Sequence, residues 1–482
     1  MTPELVFWPI FPELILAGAG IVGLLYEAFA PRSDRRVHLA IAVVGLAAAG
    51  LATLTLWNWD GAPFVMGGTV AADRFTVLAA AILISSALVG CLYYAAEVGR
   101  DHSPYRGEFF PLVLFATSGM ILFAAANDLI LVFLALEILS LSLYVLTGIT
   151  GRRRAAEASL KYFLLGAFSS AFFLYGVAMA YGATASTKVT DIAAALVGTG
   201  DDLALALVAI AFLAIGFGFK VSAVPFHMWT PDVYQGAPTP VTAYMSAATK
   251  VAAFFALMRV LDVAFQPMSW DWTAIVVVLA ALSVVVGSFL AIAQSDVKRM
   301  LAYSSVAHAG FVLTGMTAAD ASGIRSAMFY LIAYAIMTLG AFGVVMLVES
   351  GREGRTTLQD FAGLGARRPW VAALMTVFLL SLAGIPPTVG FIAKVTVFTA
   401  AIGAGHWPLA LLGVLTSVVA AFFYLRVIVY MYMRQPEGEL VGETEPGLAS
   451  VAAGVLAVLT LVLGVFPSLL AGILEQAAIL RW

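Results

Sequence analysis

Apolar residues along this chain gather into runs long enough to cross a bilayer, and short polar, glycine- or proline-containing stretches separate them. A transmembrane helix needs about 20 mostly apolar residues. On that measure the pattern predicts spans at 13–30, 37–57, 74–95, 109–126, 129–149, 158–182, 203–224, 239–262, 273–294, 300–319, 324–349, 370–402, 409–432 and 447–470. The predicted fold is all-α, a polytopic membrane protein of about fourteen transmembrane helices. Two of the spans are interrupted. The seventh runs into Gly216, Gly218 and Pro225, and the twelfth, about 33 residues long, contains Gly384, Pro386, Pro387 and Gly390. Proline cannot donate to the carbonyl four residues back, and so long a run does not cross as one straight helix. Spans 7 and 12 are therefore predicted to be discontinuous, the break in span 7 lining a hydrated interior and span 12 forming two half-helices joined by an unwound segment. Lying five apart in order, they run in opposite directions, so spans 4–8 and 9–13 read as two inverted five-helix repeats. The chain then divides into a three-helix segment at 1–106, a first repeat at 107–265, a second at 266–435 and a C-terminal helix at 436–482.

Composition excludes a soluble domain: 62% of the 482 residues are hydrophobic and 11% charged, with a mean hydropathy of +0.99. Ordinary soluble domains carry about 25% charged residues. A net charge of −3 without acidic or basic blocks gives no sign of nucleic-acid binding, and the single Cys91 supports neither a disulfide framework nor a metal cluster. The start MTPELVFWPIFPELILAGAG has no Lys or Arg, so it reads as a retained first span rather than a cleaved leader.

Lys and Arg collect in cytoplasmic loops. One set of loops holds Arg32, Arg35, Arg36, Arg100, Arg106, Arg152, Arg153, Arg154, Lys298, Arg299, Arg352, Arg355, Arg367, Arg368 and Arg434, which is fifteen. The other holds Arg74, Lys188, Arg259, Arg325 and Arg481, which is five, so both termini are expected on the periplasmic side. Arg426, near the end of span 13, is placed to snorkel to the interface.

Lys161, Lys220, Lys250 and Lys394 remain within spans. A central lysine costs about 2.5–3.5 kcal/mol on insertion scales, so such residues face partners or water. Glu137, midway along LILVFLALEILSLSLYVL, supplies a complementary carboxylate. Static ion pairs are the alternative for Lys220, Lys250 and Lys394, and a permanently protonated carboxyl for Glu137. Lys161, two turns after Arg154, has snorkelling as its alternative. His227, beyond the first break, and His308, in span 10, are candidate relays; packing or a loop-facing position would also account for them. Burial lowers a lysine's proton affinity and a nearby carboxylate restores it, so a row of these groups can pass protons along bridging waters.

The run FGFKVSAVPFHMWTPDVYQGAPTPVTAYMSAATK, followed by AYSSVAHAGF and GIPPTVGFIAK in order, resembles the antiporter-like membrane subunits of respiratory complex I over essentially the whole chain. The resemblance implies proton translocation driven by quinone reduction elsewhere, with Glu137, Lys161, Lys220, Lys250 and Lys394 at the family's relay positions. A lysine at 394, where one sister subunit typically has glutamate, and only about a dozen residues after the last span point to the member without a long lateral helix. No cofactor is expected in this chain, which carries neither a dinucleotide fingerprint nor a cysteine set. The resemblance places NADH, FMN, iron–sulfur clusters and quinone in partner subunits, and implies neighbouring antiporter-like and peripheral subunits, membrane lipids, protons as cargo and a bacterial inner membrane. Two competing readings are a cation/proton antiporter subunit of the Mrp type, without a redox arm, and a membrane scaffold held by static ion pairs.

Overall fold

Apolar runs of this length satisfy their backbone groups only as helices, and helices are what form. The computed structural model describes residues 6–30, 34–97, 105–198, 203–349, 356–435 and 447–480. The first helices are α1 (Phe11–Phe29), α2 (Arg35–Thr55), α3 (Arg74–Glu97), α4 (Phe109–Ala125), α5 (Leu129–Gly148), α6 (Arg153–Thr184), α7 (Val189–Gly198), α8 (Ala204–Val221), α9 (Trp229–Gly236) and α10 (Thr239–Arg259). After them come α11 (Ser269–Ile292), α12 (Val297–Met316), α13 (Ala321–Glu349), α14 (Leu364–Arg367), α15 (Pro369–Ala383), α16 (Val389–Gly403), α17 (Trp407–Met433), α18 (Leu448–Val465) and α19 (Ser468–Ala477). A two-stranded hairpin, Phe64–Val65 with Val70–Ala71, sits between α2 and α3.

Ten of these helices are long and apolar enough to cross a membrane. The 17-residue α4, the pair α15–α16 and the helices α10 and α12 complete fourteen crossing segments. α10 and α12 escape a hydropathy criterion because they lie inside the bundle. Every residue of α10 is buried, so its threonines, serines and lysine meet protein rather than lipid. α10 packs against α13, itself nearly all buried, and the pair forms the bundle's centre.

The two repeats are in register. Asp128 caps α5 by accepting from the Ile130 and Leu131 amides, and Asp296 caps α12 by accepting from Arg299. Each aspartate also accepts from a threonine hydroxyl, Thr187 at 2.8 Å and Thr356 at 2.5 Å. The same two-strand contact closes both sites. Leu129 N donates to Thr187 O and Val189 N to Asn127 O; Val297 N donates to Thr356 O and Leu358 N to Ser295 O. Glycines repeat the pattern. A Cβ on Gly119 of α4 would lie 2.9 Å from Leu139 N of α5, and one on Gly287 of α11 would lie 2.5 Å from Ala307 N of α12. One offset of 168 residues relates all three positions (128 to 296, 119 to 287, 139 to 307).

The breaks match as well. α8 ends at Ser222 (φ +64°) and α15 at Gly384 (φ +86°), both left-handed. The next amide reaches back to a carbonyl five residues earlier, Ala223 to Gly218 and Ile385 to Leu380, closing each helix with a Schellman-type cap. A proline in a cis peptide follows in each, Pro225 and Pro387. One expectation is corrected here. Pro225, expected to line a hydrated interior, lies exposed on the outside of the chain, as do Pro386 and Pro387 at the second break. Proline has no N–H to satisfy, so it can face outward while the remaining amides turn in: Val224 N donates to Ser283 Oγ and Gly390 N to Ser381 Oγ.

Two residues assigned to loops by the charge count are also corrected. Arg259 is fully buried, with Nη1 and Nη2 donating to the two oxygens of Asp73 at 2.9 and 3.0 Å, Nε to Ala124 O, and Nη2 also to Thr76. It ties the end of α10 to the start of α3. Lys298 lies buried in the first turn of α12. Removing both leaves fourteen against four, so the charge asymmetry persists. Arg32, Arg100, Arg352, Arg355 and Arg481 lie outside the described residues. Arg426, half-buried, donates to the carbonyls of Ile292 and Gln294 and so closes the end of α11.

Two outcomes test this packing. Gly287→Leu is expected to lower the thermal unfolding midpoint of the detergent-solubilised protein sharply, because overpacking costs about 1–3 kcal/mol or more. Gly18→Ala, whose Cβ would meet nothing within 4 Å, should leave that midpoint unchanged. Burial alone would raise the Asp73 carboxyl, but the Arg259 charge and the bonds from Arg259 and Thr76 outweigh it and hold the group below its ordinary 3.8. A folded-state value below the unfolded one means the clamp's stabilisation is present at neutral pH and is lost only as pH falls below about 4. Arg259→Met should cost about 3–5 kcal/mol by stranding a buried carboxylate, measured as the loss of detergent-solubilised folded protein at pH 7.

Candidate functional site

The first cluster forms where α5, α6 and the end of α8 meet. Lys220 sits on the last turn of α8, 2% exposed, and its Nζ donates to Ser140 Oγ at 2.7 Å. The Tyr162 and Tyr144 rings stand 5.4 and 5.8 Å from the ammonium, and Tyr162 stacks on Trp229. Aromatic faces offer the charge a weak partner in place of water. Glu137, one turn before Ser140 on α5, is half-buried and accepts from Ser170 Oγ of α6 at 2.5 Å. No contact ion pair among the described residues joins Glu137 to Lys220; their bonds run to Ser170 and Ser140 respectively.

The second cluster is built on α12. Lys250, midway along α10 and 2% exposed, donates to the Ser305 carbonyl and lies 5.6 Å from the Tyr334 ring. The Tyr334 hydroxyl donates to Ser305 Oγ at 2.9 Å. One turn on, His308 Nδ1 meets the Tyr330 hydroxyl at 2.7 Å and Nε2 the Tyr424 hydroxyl at 3.2 Å, and Tyr424 in turn meets Ser304. Lys394 of α16 reaches back across the second break to donate to Ala383 O, the last carbonyl of α15, at 2.8 Å, with the Phe311 ring 5.0 Å away. The carbonyl end of a helix favours a cation. Gly384 is required twice over, for its left-handed backbone and because a Cβ there would lie 2.8 Å from Lys394 Cδ.

In the register of the repeats, Ser305 takes the position of Glu137 and His308 that of Ser140. A hydroxyl beside Lys220 is thus replaced by an imidazole between Lys250 and Lys394. The clusters join through aromatic side chains. Trp229, stacked on Tyr162, is 6.0 Å from the Tyr234 ring, and Tyr234 bonds the Ser305 side chain.

Two sequence candidates stand apart. Lys161 is 44% exposed and pairs with Glu157 at 2.8 Å and Asp232 at 2.9 Å, so it is a residue of the bundle's edge. Asp232 also takes Arg299 at 2.6 Å, beside an open cavity of about 270 Å³ lined by Arg154, Lys161 and Gln235. His227 is half-buried in the turn between α8 and α9; its Nδ1 has no hydrogen-bond partner among the described residues and its ring lies 6.4 Å from that of Tyr303. Sequence reasoning missed Asp232, Tyr162, Tyr334 and Tyr424. Tyrosines on apolar helices carry no charge signal, and Asp232 lies in a segment whose helical character the break conceals.

Residues 126–420 match the family described as NADH:quinone oxidoreductase/Mrp antiporter, TM. The chain is 45% identical to NADH-quinone oxidoreductase subunit N of Rhodococcus opacus over 99% of its own length and 96% of that protein's. It is 43% identical to subunit N of Trichlorobacter lovleyi over 97% and 96%. Among solved structures, a chain of respiratory complex I from Thermus thermophilus with bound aureothin superposes with a TM-score of 0.81 at 36% identity, over 96% of this chain and 98% of that one. A chain of the Mrp complex from Dietzia sp. shares the fold at TM-score 0.86 and 24% identity, over 98% and 96%. The matched segment contains Glu137, Lys220, Lys250, His308 and Lys394, on which the site is built, and the chain belongs to the NADH:quinone oxidoreductase/Mrp antiporter membrane family.

Proposed function

We propose that this chain is the proton-translocating subunit N of a bacterial NADH–quinone oxidoreductase, embedded in the inner membrane with both termini on the periplasmic side. The observation that carries the reading is the row of buried ionisable groups, Lys220, Lys250, His308 and Lys394, threaded through two broken-helix repeats in a chain so similar to subunit N relatives. The enzyme is the whole translocase. This subunit moves protons, while NADH, FMN, iron–sulfur clusters and quinone belong to partner subunits. Its neighbours are other antiporter-like membrane subunits, and the peripheral arm supplies the electron transfer that drives it. The functional units are the three-helix segment at 1–106, the repeats at 107–265 and 266–435, and the last helix at 436–482.

Lys220, Lys250 and Lys394 are each held by one neutral oxygen beside an aromatic face, an arrangement that tolerates either protonation state. Lys220 has Ser140, Lys250 has the Ser305 carbonyl, and Lys394 has the Ala383 carbonyl. A proton leaving Lys220 removes a positive charge from a site shared with Glu137, and charge states along the row bias one another because the interior screens them weakly. His308 accepts or donates at either ring nitrogen and lies between the two tyrosine hydroxyls, which suits it to hand protons between Lys250 and Lys394. Glu137 and Lys161 complete the candidate set, the latter at the edge.

A proton-transfer group contributes typically about 10²–10⁴-fold to a rate, so about tenfold is the least loss expected on removing one. Lys220→Ala, Glu137→Ala and Lys394→Ala should each reduce NADH-driven acidification of membrane vesicles by about that factor while the complex still assembles. Lys188→Ala should not, and Lys161→Ala should fall between, since an exposed pair contributes about 0–1 kcal/mol. Normal pumping in the assembled Lys220 and Glu137 variants would contradict the assignment. Co-purification separates the Mrp reading: a flavin- and cluster-bearing arm travelling with the chain supports subunit N, and antiporter subunits alone would overturn it.

A further inference from the structure

Glu349, Thr239 and Lys298 form a buried cluster that the path from Glu137 to Lys394 does not use. Lys298, 3% exposed in the first turn of α12, donates from Nζ to Ala237 O at 2.8 Å and to Thr239 Oγ1 at 2.9 Å. Thr239, the first residue of α10, directs its own hydroxyl proton to Glu349 Oε2. Glu349 is the last residue of α13, buried like the other two. The cluster therefore sits at one end of the bundle's two central helices, at the face that the basic loops assign to the cytoplasm.

Withdrawing an ammonium and a carboxylate from water costs several kcal/mol per ion. Here a hydroxyl links acid and base, accepting from one and donating to the other. That geometry permits a balanced double transfer. The Lys298 ammonium gives a proton to Thr239 Oγ1 as Thr239 gives its own to Glu349, converting a charged pair into a neutral amine and a neutral carboxyl; the reverse transfer restores it. No other reactant is consumed.

We propose that Glu349, Thr239 and Lys298 are the proton-loading site that feeds Lys250. A proton taken from the aqueous face neutralises Glu349, passes through the Thr239 hydroxyl and charges Lys298. Ser305 lies seven residues beyond Lys298, on the same face of α12 and about 10 Å along its axis. Tyr234, whose carbonyl accepts from Thr242 at 3.0 Å one turn into α10, bonds the Ser305 side chain, and Lys250 donates to the Ser305 carbonyl. The proposal rests on Lys220, Lys250 and Lys394 being a proton path.

The test compares vesicles containing the whole complex, measuring protons pumped per NADH oxidised. Glu349→Gln and Thr239→Val are expected to lower the ratio at least about tenfold, less than the roughly 10²–10⁴-fold a proton-transfer group contributes to a rate. Glu349→Asp and Thr239→Ser should keep more than about half, because they retain the acid and the hydroxyl. Should Glu349→Gln fail to assemble, Thr239→Val decides. Normal pumping in Thr239→Val with pumping lost in Lys220→Ala overturns the loading site alone. Normal pumping in both overturns the underlying path as well. Equal losses in Thr239→Ser and Thr239→Val mark a structural tether and overturn the proposal.

Discussion

Backbone polar groups and charges have no water to turn to inside a bilayer, so each must be satisfied by the protein itself. Most features of this structure follow from that constraint. It makes every long apolar run a helix and keeps Lys220, Lys250 and Lys394 inside the bundle. It also decides how a helix can be broken. At both breaks a left-handed residue lets the next amide close the preceding turn, a serine hydroxyl takes a further amide, and prolines, which have no amide to satisfy, are the residues left outside. The freed helix end at Ala383 then becomes useful, because its carbonyl is where Lys394 is held.

The same constraint explains why two repeats with little sequence in common keep one register. Features that hold the backbone are retained: the aspartate caps at 128 and 296, their threonine partners and the glycines that allow α4–α5 and α11–α12 to approach. Features that carry protons diverge. Glu137 and Ser140 in the first repeat become Ser305 and His308 in the second, so one scaffold presents a carboxylate and hydroxyl to one lysine and a carbonyl and imidazole to others.

Helical spans were legible from hydropathy because lipid contact demands apolar side chains, and the buried lysines were legible because charge there is costly. The limits were equally physical. Charge counting placed Lys298 and Arg259 in loops, since a residue one turn from a helix end can point to water or into the bundle and only tertiary packing decides. It gave Lys161 a membrane position for the same reason, although Glu157 and Asp232 hold it at the edge. The tyrosines that line the lysines, and the short helices α7, α9 and α19, leave no charge or length signal. Glycine and proline at 384–390 marked the second break correctly but not the outward turn of its prolines.

Change of charge at the buried lysines is the central claim, and isotope-edited infrared difference spectroscopy on the assembled complex measures it directly. Resting enzyme would be compared with enzyme turning over NADH, with lysine ammonium bands identified by their loss in Lys220→Met and Lys394→Met complexes. The structure predicts ammonium bands that change on turnover and disappear in those variants. A difference spectrum without such bands, or one identical in both variants and the unsubstituted complex, would contradict it.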